Sequence, residues 1–135
     1  MNKSMMAMIG VFLLVLQGCA TESDLKKQGV VAMTSSEMKE KLTGNSLVGT
    51  SRGGYDVTWF LRENGTLAGV NHGGGSDSGV WEITQDGSFC TQWTRWGTTK
   101  GCFKLYIVGD KMAMCRVDGD CGGSFKIVQG NPDKL

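Results

Sequence analysis

The amino-acid sequence predicts an all-β protein, a small up-and-down antiparallel β-barrel of about eight strands with a short N-terminal helix. From residue 46 onward, apolar residues recur with a period of two in about eight short runs. The chain has 21 glycines but a single proline, Pro132, so turn-forming residues are abundant and little interrupts a strand ladder. Because short turns join neighbouring runs, the strands favour a meander that closes on itself. A two-sheet β-sandwich is the alternative arrangement.

The first 19 residues have the pattern of an export signal. Lys3 precedes an apolar run over residues 5–16, which is too short for a membrane span of ~20 residues but suits a secretory signal. The run ends at Leu16-Gln17-Gly18-Cys19, which resembles the lipobox of bacterial lipoproteins. The resemblance implies a signal peptide over residues 1–18 and a lipid on Cys19; an ordinary signal peptide cleaved nearby is the alternative. Ala20, by similarity to sorted lipoproteins, implies an outer-membrane destination in the bacterial cell envelope.

The charge balance argues against two classes of partner. Residues 1–18 contain one lysine and no acid, so the rest of the chain carries 13 basic and 13 acidic residues. No basic block stands out, and the sequence therefore predicts no nucleic-acid partner. It equally lacks a polybasic patch for anionic lipid. The predicted attachment to the membrane is the N-terminal lipid alone.

The segment before the strands divides into a tether and a helix. Residues 20–30 are polar and charged without an apolar period, so residues 19–33 are predicted to form a lipid-anchored flexible tether. Thr34 and Glu37 then fit a capping box, and Met33 with Met38 fits the matching hydrophobic staple. Gly44 supplies a C-terminal stop. We expect a helix of roughly two turns that closes one end of a domain spanning residues 34–135.

Turn residues set the expected strand register. The strand-like runs lie near residues 46–51, 55–62, 66–71, 79–84, 88–95, 101–108, 111–117 and 123–129. Asn64-Gly65 is typical of a two-residue hairpin, which would place Leu61 opposite Ala68 and Trp59 opposite Val70. These four apolar side chains would then share the inner face of the barrel.

The later hairpins predict one continuous inner face. A three-residue loop at Gln85-Asp86-Gly87 places Ile83 opposite Phe89, whereas a two-residue loop would send Phe89 to the other face. Pairing Phe89 with Phe103 extends that face to the next strand. A two-residue turn at Gly109-Asp110 then carries the same face onward.

The cysteines divide into Cys19 and a later group of four: Cys90, Cys102, Cys115 and Cys121. An even number in an oxidising compartment favours two disulfides over free thiols. A metal site is the other alternative, but the spacings lack a Cys-x-x-Cys pattern and the sequence has one histidine.

The register suggests how the four cysteines pair. Cys90 falls opposite Cys102, and a turn at residues 118–119 brings Cys121 near Cys115. That second pairing turns Phe125 outward unless a β-bulge at residues 122–123 returns it to the core. Cys102–Cys115 remains the alternative pairing.

Five short stretches carry a family resemblance. They are Leu42-Thr43-Gly44-Asn45, Glu63-Asn64-Gly65-Thr66, Gly79-Val80-Trp81, Cys90 with Cys102, and Gly130-Asn131-Pro132. Together they resemble an uncharacterised family of small secreted bacterial proteins, described only as a domain of unknown function. The likeness covers most of residues 34–132 and implies a lipocalin-like β-domain in which Trp81 packs across the barrel floor. Cys115 and Cys121 lie outside the family pattern, and the family implies no established activity.

Two groups of residues are candidates for binding. Tryptophan and arginine are typical anchors of protein interfaces. Two tryptophans, one arginine and one lysine lie at or near one hairpin tip. They are Trp93, Arg95, Trp96 and Lys100. The second group would line a cavity for a small apolar ligand inside the barrel, although an eight-stranded barrel can also be filled by side chains. It comprises Trp59, Trp81, Phe103, Leu105, Met112 and Met114.

The sequence gives little support for catalysis or for a bound metal. The glycine-rich stretch 71–79 lacks the Gly-Lys-Ser/Thr ending of a phosphate-binding loop, and His72 with Asp77 is too small a ligand set. A nucleophile with an adjacent base is equally hard to place. We therefore expect no cofactor, no metal and no enzymatic activity. The leading hypothesis is an envelope lipoprotein that binds or modulates a protein or an envelope component. A carrier of a small apolar ligand and an inhibitor of a lysozyme-like hydrolase are the alternatives.

Overall fold

Eight antiparallel strands form a closed barrel in which each strand pairs with its sequence neighbours and the last pairs with the first. A computed structural model describes residues 20–135 and confirms the predicted barrel rather than the sandwich. The strands are β1 Ser46–Thr50, β2 Asp56–Leu61, β3 Thr66–Asn71, β4 Ser76–Ile83, β5 Phe89–Trp93, β6 Gly101–Val108, β7 Lys111–Cys115 and β8 Cys121–Val128. The helices are α1 Glu22–Lys27 and α2 Ser35–Leu42. The predicted signal peptide and Cys19 lie outside the described residues.

The helix α2 has the N-cap that the sequence predicts but only half of the predicted capping box, because the Glu37 carboxylate accepts from the Thr34 hydroxyl and not from its backbone N–H. Thr34 Oγ1 accepts a hydrogen bond from the Glu37 backbone N–H at 3.2 Å, and Thr34 is the N-cap. Met38 and Leu42 have no exposed surface, and they pack with Met33 into the main core. The helix therefore closes one end of the barrel, which we call the covered end.

The two ends of the barrel differ in packing. Loops 62–65, 84–88 and 109–110 lie at the covered end, and loops 51–55, 72–75, 94–100 and 116–120 lie at the opposite end, which we call the mouth. Four side chains near the strand ends at the covered end have no exposed surface: those of Leu47, Leu61, Leu67 and Phe89. Each such side chain contributes roughly 1.5–3 kcal/mol on burial, so the covered half of the barrel is a packed core.

The registers predicted for the later hairpins are confirmed. Ile83 pairs with Phe89 across a loop that ends at Gly87, which has the left-handed φ of +81°. Phe89 pairs in turn with Phe103, and Leu105 on the next hairpin pairs with Met114. A single inner face therefore runs across β4, β5, β6 and β7.

The register predicted for the β2–β3 hairpin is wrong by one residue. Leu61 pairs with Leu67, not with Ala68, because Glu63-Asn64-Gly65 forms a three-residue loop. Gly65 takes a left-handed φ of +86°, and Asn64 Oδ1 accepts a hydrogen bond from the Thr66 N–H at 3.0 Å. The shift also replaces the predicted Trp59–Val70 pair by Trp59 with Gly69, so Ala68 and Val70 lie on the face opposite to Trp59, not on the inner face as predicted.

Both predicted disulfides are present. Cys90 is bonded to Cys102 between β5 and β6, and Cys115 is bonded to Cys121 between β7 and β8. Between those last two strands the register shifts, so that Met112 lies opposite Phe125 and one extra residue of β8 bulges out. The predicted bulge is thus confirmed, and Phe125 points into the core with no exposed surface.

Residues 20–33 differ from the predicted tether, because they lie against the outside of the barrel. Leu25 of α1 has no exposed surface and packs on Tyr106 and Cys115. The Glu22 carboxylate is buried, and it accepts hydrogen bonds from the Tyr106 hydroxyl at 2.8 Å and from the Asp118 N–H at 3.1 Å. Buried Leu25 and Met33, together with the buried Glu22 carboxylate, therefore dock this segment on the barrel.

Candidate functional site

A cavity of about 670 Å³ opens at the mouth of the barrel. Its volume lies within the range of roughly 300–1,000 Å³ that small-molecule sites occupy. Inward-facing side chains of the strands form its floor, and the mouth loops form its rim. The lining residues are Ser51, Arg52, Gly53, Tyr55, Val57, Trp59, Asn71, Thr91, Trp93, Trp96, Gly97, Thr99, Gly101, Phe103, Met114 and Arg116.

Three tryptophans form one wall of the cavity. The ring centroids of Trp59 and Trp93 lie 5.2 Å apart, and those of Trp93 and Trp96 lie 4.9 Å apart. Trp59 also packs on Phe125, with centroids 5.0 Å apart. Aromatic pairs at these separations attract one another beyond the effect of burial alone, so the wall is a connected aromatic cluster.

Gly69 of β3 makes room for this cluster. A Cβ atom at this position would lie 2.7 Å from the Trp93 ring, 2.8 Å from the Trp96 ring and 3.0 Å from the Trp59 ring. Each distance is shorter than a normal carbon–carbon contact of about 3.5–4.0 Å. The absence of a side chain at residue 69 therefore lets all three indole rings lie over the β3 backbone.

Asp77 of β4 holds the loop that carries Trp96. Its carboxylate is 2% exposed, and Oδ2 accepts hydrogen bonds from the backbone N–H groups of Arg95 and Trp96, each at 2.8 Å. Burial alone raises the pKa of this carboxyl, but the hydrogen bonds from the Trp96, Arg95 and Ser78 N–H groups outweigh it and lower the net pKa below 3.8. The carboxylate thus fixes loop 94–100 over the mouth in its charged form.

The rim of the cavity carries two guanidinium groups. Arg52 donates to the Met114 carbonyl at 2.9 Å and to Asp120 Oδ2 at 2.6 Å, and it lies 5.1 Å from the centre of the Phe103 ring. Arg116 Nε lies 3.7 Å from Asp120 Oδ1. The hydrogen bond from Arg52 holds the pKa of Asp120 below its usual value. Both guanidinium groups line the cavity, and the Asp120 carboxylate that they share is not among the lining residues.

The Trp59 indole carries a buried donor within the barrel. Trp59 is 9% exposed, and within residues 20–135 its Nε1–H is the one buried side-chain N or O group that has no hydrogen-bond partner. A buried donor without a partner costs about 1–3 kcal/mol. The Trp81 indole is satisfied within the protein, because its Nε1–H donates to the Arg62 carbonyl at 2.9 Å.

The residues predicted to bind a partner divide between two places. Trp93 and Trp96 face the mouth cavity, and Trp96 remains 39% exposed. Arg95 turns instead to the outside of β4, where its Nε lies 3.6 Å from Asp77, and Lys100 pairs with Glu82. The structure therefore brings together the two aromatic rings and separates them from the two cations.

The residues predicted to line a cavity also divide. Trp59, Phe103 and Met114 line the mouth cavity. Leu105 and Met112 belong to the filled core below it, and Trp81 packs near Phe89 toward the covered end. The barrel is thus neither open throughout nor filled throughout: its covered half is a packed core and its mouth half holds the cavity.

Sequence reasoning missed several residues of this site. Arg52 and Tyr55 lie in the loop between β1 and β2, and Arg116 follows β7. Their position could have been read from the alternating connections of an up-and-down barrel, which place every second loop at the same end. The role of Asp77 depends on contacts 18 and 19 residues away, for which the local sequence carries no signal.

The described residues show neither a metal-binding cluster nor a membrane-spanning helix. Across residues 20–135, no group of three or more His, Cys, Asp or Glu side chains is placed to hold a metal ion. Neither helix in this part of the chain is long and apolar enough to cross a bilayer.

The fold and the site together define a class of protein: a small disulfide-bonded antiparallel β-barrel with an aromatic cavity at one end. Comparison with protein-family models, with curated proteins and with solved structures finds no match to this chain. The family resemblance of the short turn motifs therefore stays a prediction, and the functional argument depends on the geometry of the mouth.

Proposed function

We propose that this protein is a non-enzymatic lipoprotein of the bacterial envelope that binds a small amphipathic ligand at the barrel mouth. The observation that carries the proposal is the 670 Å³ cavity with its three-tryptophan wall. Among the functions considered from the sequence, this cavity favours the ligand carrier. Trp96 packs inward over Gly69, which argues against its use as a free anchor for a protein partner. Inhibition of a lysozyme-like hydrolase stays an untested prediction.

The lining specifies the chemistry of the ligand. The tryptophan wall, Phe103 and Met114 suit an apolar or aromatic body. The two guanidinium groups that line the rim, those of Arg52 and Arg116, suit an anionic group. An amphiphile with one anionic end satisfies both requirements, whereas a purely apolar molecule would make no use of the two rim guanidinium groups.

A pair of fluorescent probes tests this proposal. 8-Anilinonaphthalene-1-sulfonate has an aromatic body and an anionic sulfonate, and N-phenyl-1-naphthylamine has the same body without the charge. We expect both probes to bind with an increase in fluorescence, and the sulfonate to bind about 3–10-fold more tightly, which corresponds to roughly 0.7–1.4 kcal/mol. Titration of the purified protein with each probe gives the two dissociation constants.

Variants locate the bound probe. Arg116→Ala removes a rim cation and should weaken the sulfonate but not the uncharged probe, whereas Trp96→Ala should weaken both. Lys41→Ala is the matched control, because this exposed cation lies on α2 at the covered end. Equal binding of the sulfonate to all three variants would place the probe elsewhere and refute a ligand site at the mouth.

A further inference from the structure

The start of the described chain is fixed at the barrel mouth. The Cys121 N–H donates to the Ala20 carbonyl at 2.8 Å, and the Glu22 N–H donates to the Gly119 carbonyl at 2.8 Å. Between them, Thr21 forms a bridge with Asp120. These contacts attach residues 20–22 to the loop between β7 and β8, which is one of the four loops of the mouth.

The same loop forms part of the cavity rim. Asp120 holds the guanidinium groups of Arg52 and Arg116, and both of these side chains line the cavity. Cys19 is joined to Ala20 by one peptide bond, so their Cα atoms are about 3.8 Å apart. A lipid on Cys19 would therefore be attached one residue before the contacts that hold Ala20 to this loop.

Two of the mouth loops expose apolar or aromatic side chains, as does the outer wall of the barrel at Val31 and Ile107. Tyr55 and Val117, in two of the mouth loops, are 61% and 58% exposed, and Trp96 beside them is partly exposed. Tryptophan and tyrosine favour the interface between lipid and water. At the covered end, the outer face of α2 carries exposed Lys39, Glu40 and Lys41, which favour water.

We propose that the rim of the barrel mouth is a lipid-contact surface, held against the membrane by the docked α1 segment. This inference rests on the proposed function, since it requires the lipid on Cys19. The docked segment keeps the mouth at the headgroup layer, and α2 at the covered end faces away from the bilayer. The cavity then opens where membrane amphiphiles are most concentrated.

Depth-dependent quenching of two labels tests the orientation. The lipidated full-length protein, with bimane attached at either Tyr55→Cys or Lys41→Cys, is reconstituted in phosphatidylcholine vesicles that contain headgroup-nitroxide phosphatidylcholine. The two sites are separated by a strand of six residues, about 20 Å, so only the rim label should reach the headgroups. We expect the nitroxide to quench the rim label roughly threefold more strongly than the label on α2, given this separation. Equal quenching, or stronger quenching on α2, would overturn the proposal.

A second pair of variants tests the role of α1. Leu25→Ala removes the buried contact of α1, and Ser23→Ala changes an exposed residue of the same helix. We expect the difference between the two labels to shrink in Leu25→Ala and to persist in Ser23→Ala, with barrel unfolding followed by tryptophan fluorescence to confirm that the fold is retained. An unchanged difference in Leu25→Ala would show that α1 docking does not orient the barrel.

The outcomes separate the inference from the proposed function. If the protein does not sediment with vesicles, the lipid anchor and the orientation both fail. If the rim label is quenched but neither naphthyl probe binds, ligand binding fails and the orientation stands. If the probes bind at the mouth but α2 faces the lipid, the proposed function stands and the orientation is refuted.

Discussion

The arrangement of the tryptophan wall predicts a specific sensitivity at Gly69. In Gly69→Ala, the new methyl group would lie 2.7–3.0 Å from three indole rings, which is about 0.5–1 Å too close for carbon contacts. Overpacking of this kind costs typically 1–3 kcal/mol, and the intrinsic gain of replacing glycine in a strand offsets roughly 0.5–1 kcal/mol of it. We expect a net loss of about 1–2 kcal/mol in the free energy of unfolding. The ring with the most freedom, that of partly exposed Trp96, should be displaced from the cavity.

Urea unfolding and tryptophan emission measure these two effects. Gly97→Ala is the matched control, because a Cβ atom there would lie 3.8 Å from its nearest neighbour, the Trp93 ring. We expect Gly97→Ala to unfold within about 0.5 kcal/mol of the parent protein, as do most substitutions without a clash. Gly69→Ala should lose stability, shift its emission and bind the anilinonaphthalene probe more weakly. A Gly69→Ala protein with unchanged stability and emission would refute the packing described for the three rings.

Three further predictions concern the disulfides and the buried ionisable groups. Replacing Cys90 and Cys102 together by serine should lower the free energy of unfolding by about 3 kcal/mol, and replacing Cys115 and Cys121 together by about 2 kcal/mol, because the two disulfides close loops of separation 12 and 6. Thermal unfolding of each double variant measures this order. A larger loss from the Cys115–Cys121 pair would contradict it. Asp77 has a folded-state pKa below its unfolded value, so its contribution to stability is present above about pH 4 and is lost as the pH falls through the folded pKa. Urea midpoints between pH 5 and pH 2 should therefore fall more steeply in the parent protein than in Asp77→Asn. Parallel curves would contradict the hydrogen bonds from the Arg95 and Trp96 N–H groups to this carboxylate. Burial, together with the hydrogen bond to Glu22, raises the pKa of Tyr106 to about 12, so its contribution to stability is present below pH 10 and is lost as the pH rises toward 12. Absorbance titration of the phenolate should show a late-ionising tyrosine that is missing in Tyr106→Phe. A titration without that late component would contradict the buried contact with Glu22.

The fold was predictable wherever a turn allowed a single register. At Gln85-Asp86-Gly87, only one loop length keeps Phe89 and Ile83 on the same face, and the structure has that register. The bulge before Phe125 followed from the same reasoning, because only a bulge returns Phe125 to the inner face when Cys121 lies opposite Cys115. Asn64-Gly65 suits both a two-residue and a three-residue loop, and the apolar residues around it fit either face. Its register was therefore decided by packing that the sequence does not display.

The candidate site depended more on contacts distant in the sequence. Trp93 and Trp96 could be singled out from their residue type, but their direction is set by Gly69 and by the Asp77 carboxylate. The docking of α1 was missed for a similar reason, since Leu25 is one apolar residue in a polar segment and its partners lie on β6 and β7. Local patterns reveal strands and turns, but they do not reveal which loop packs over an open end.

The most direct test of ligand binding at the mouth is to follow the four tryptophan indole N–H signals by NMR during titration with 8-anilinonaphthalene-1-sulfonate. Tryptophan-to-phenylalanine variants assign the four signals. The Trp59 signal should shift because its ring lines the cavity. The Trp81 signal should stay in place, because Trp81 lies outside the lining and its donor is already bound to Arg62. A Trp59 signal that remains unmoved at saturating probe would contradict the proposed site.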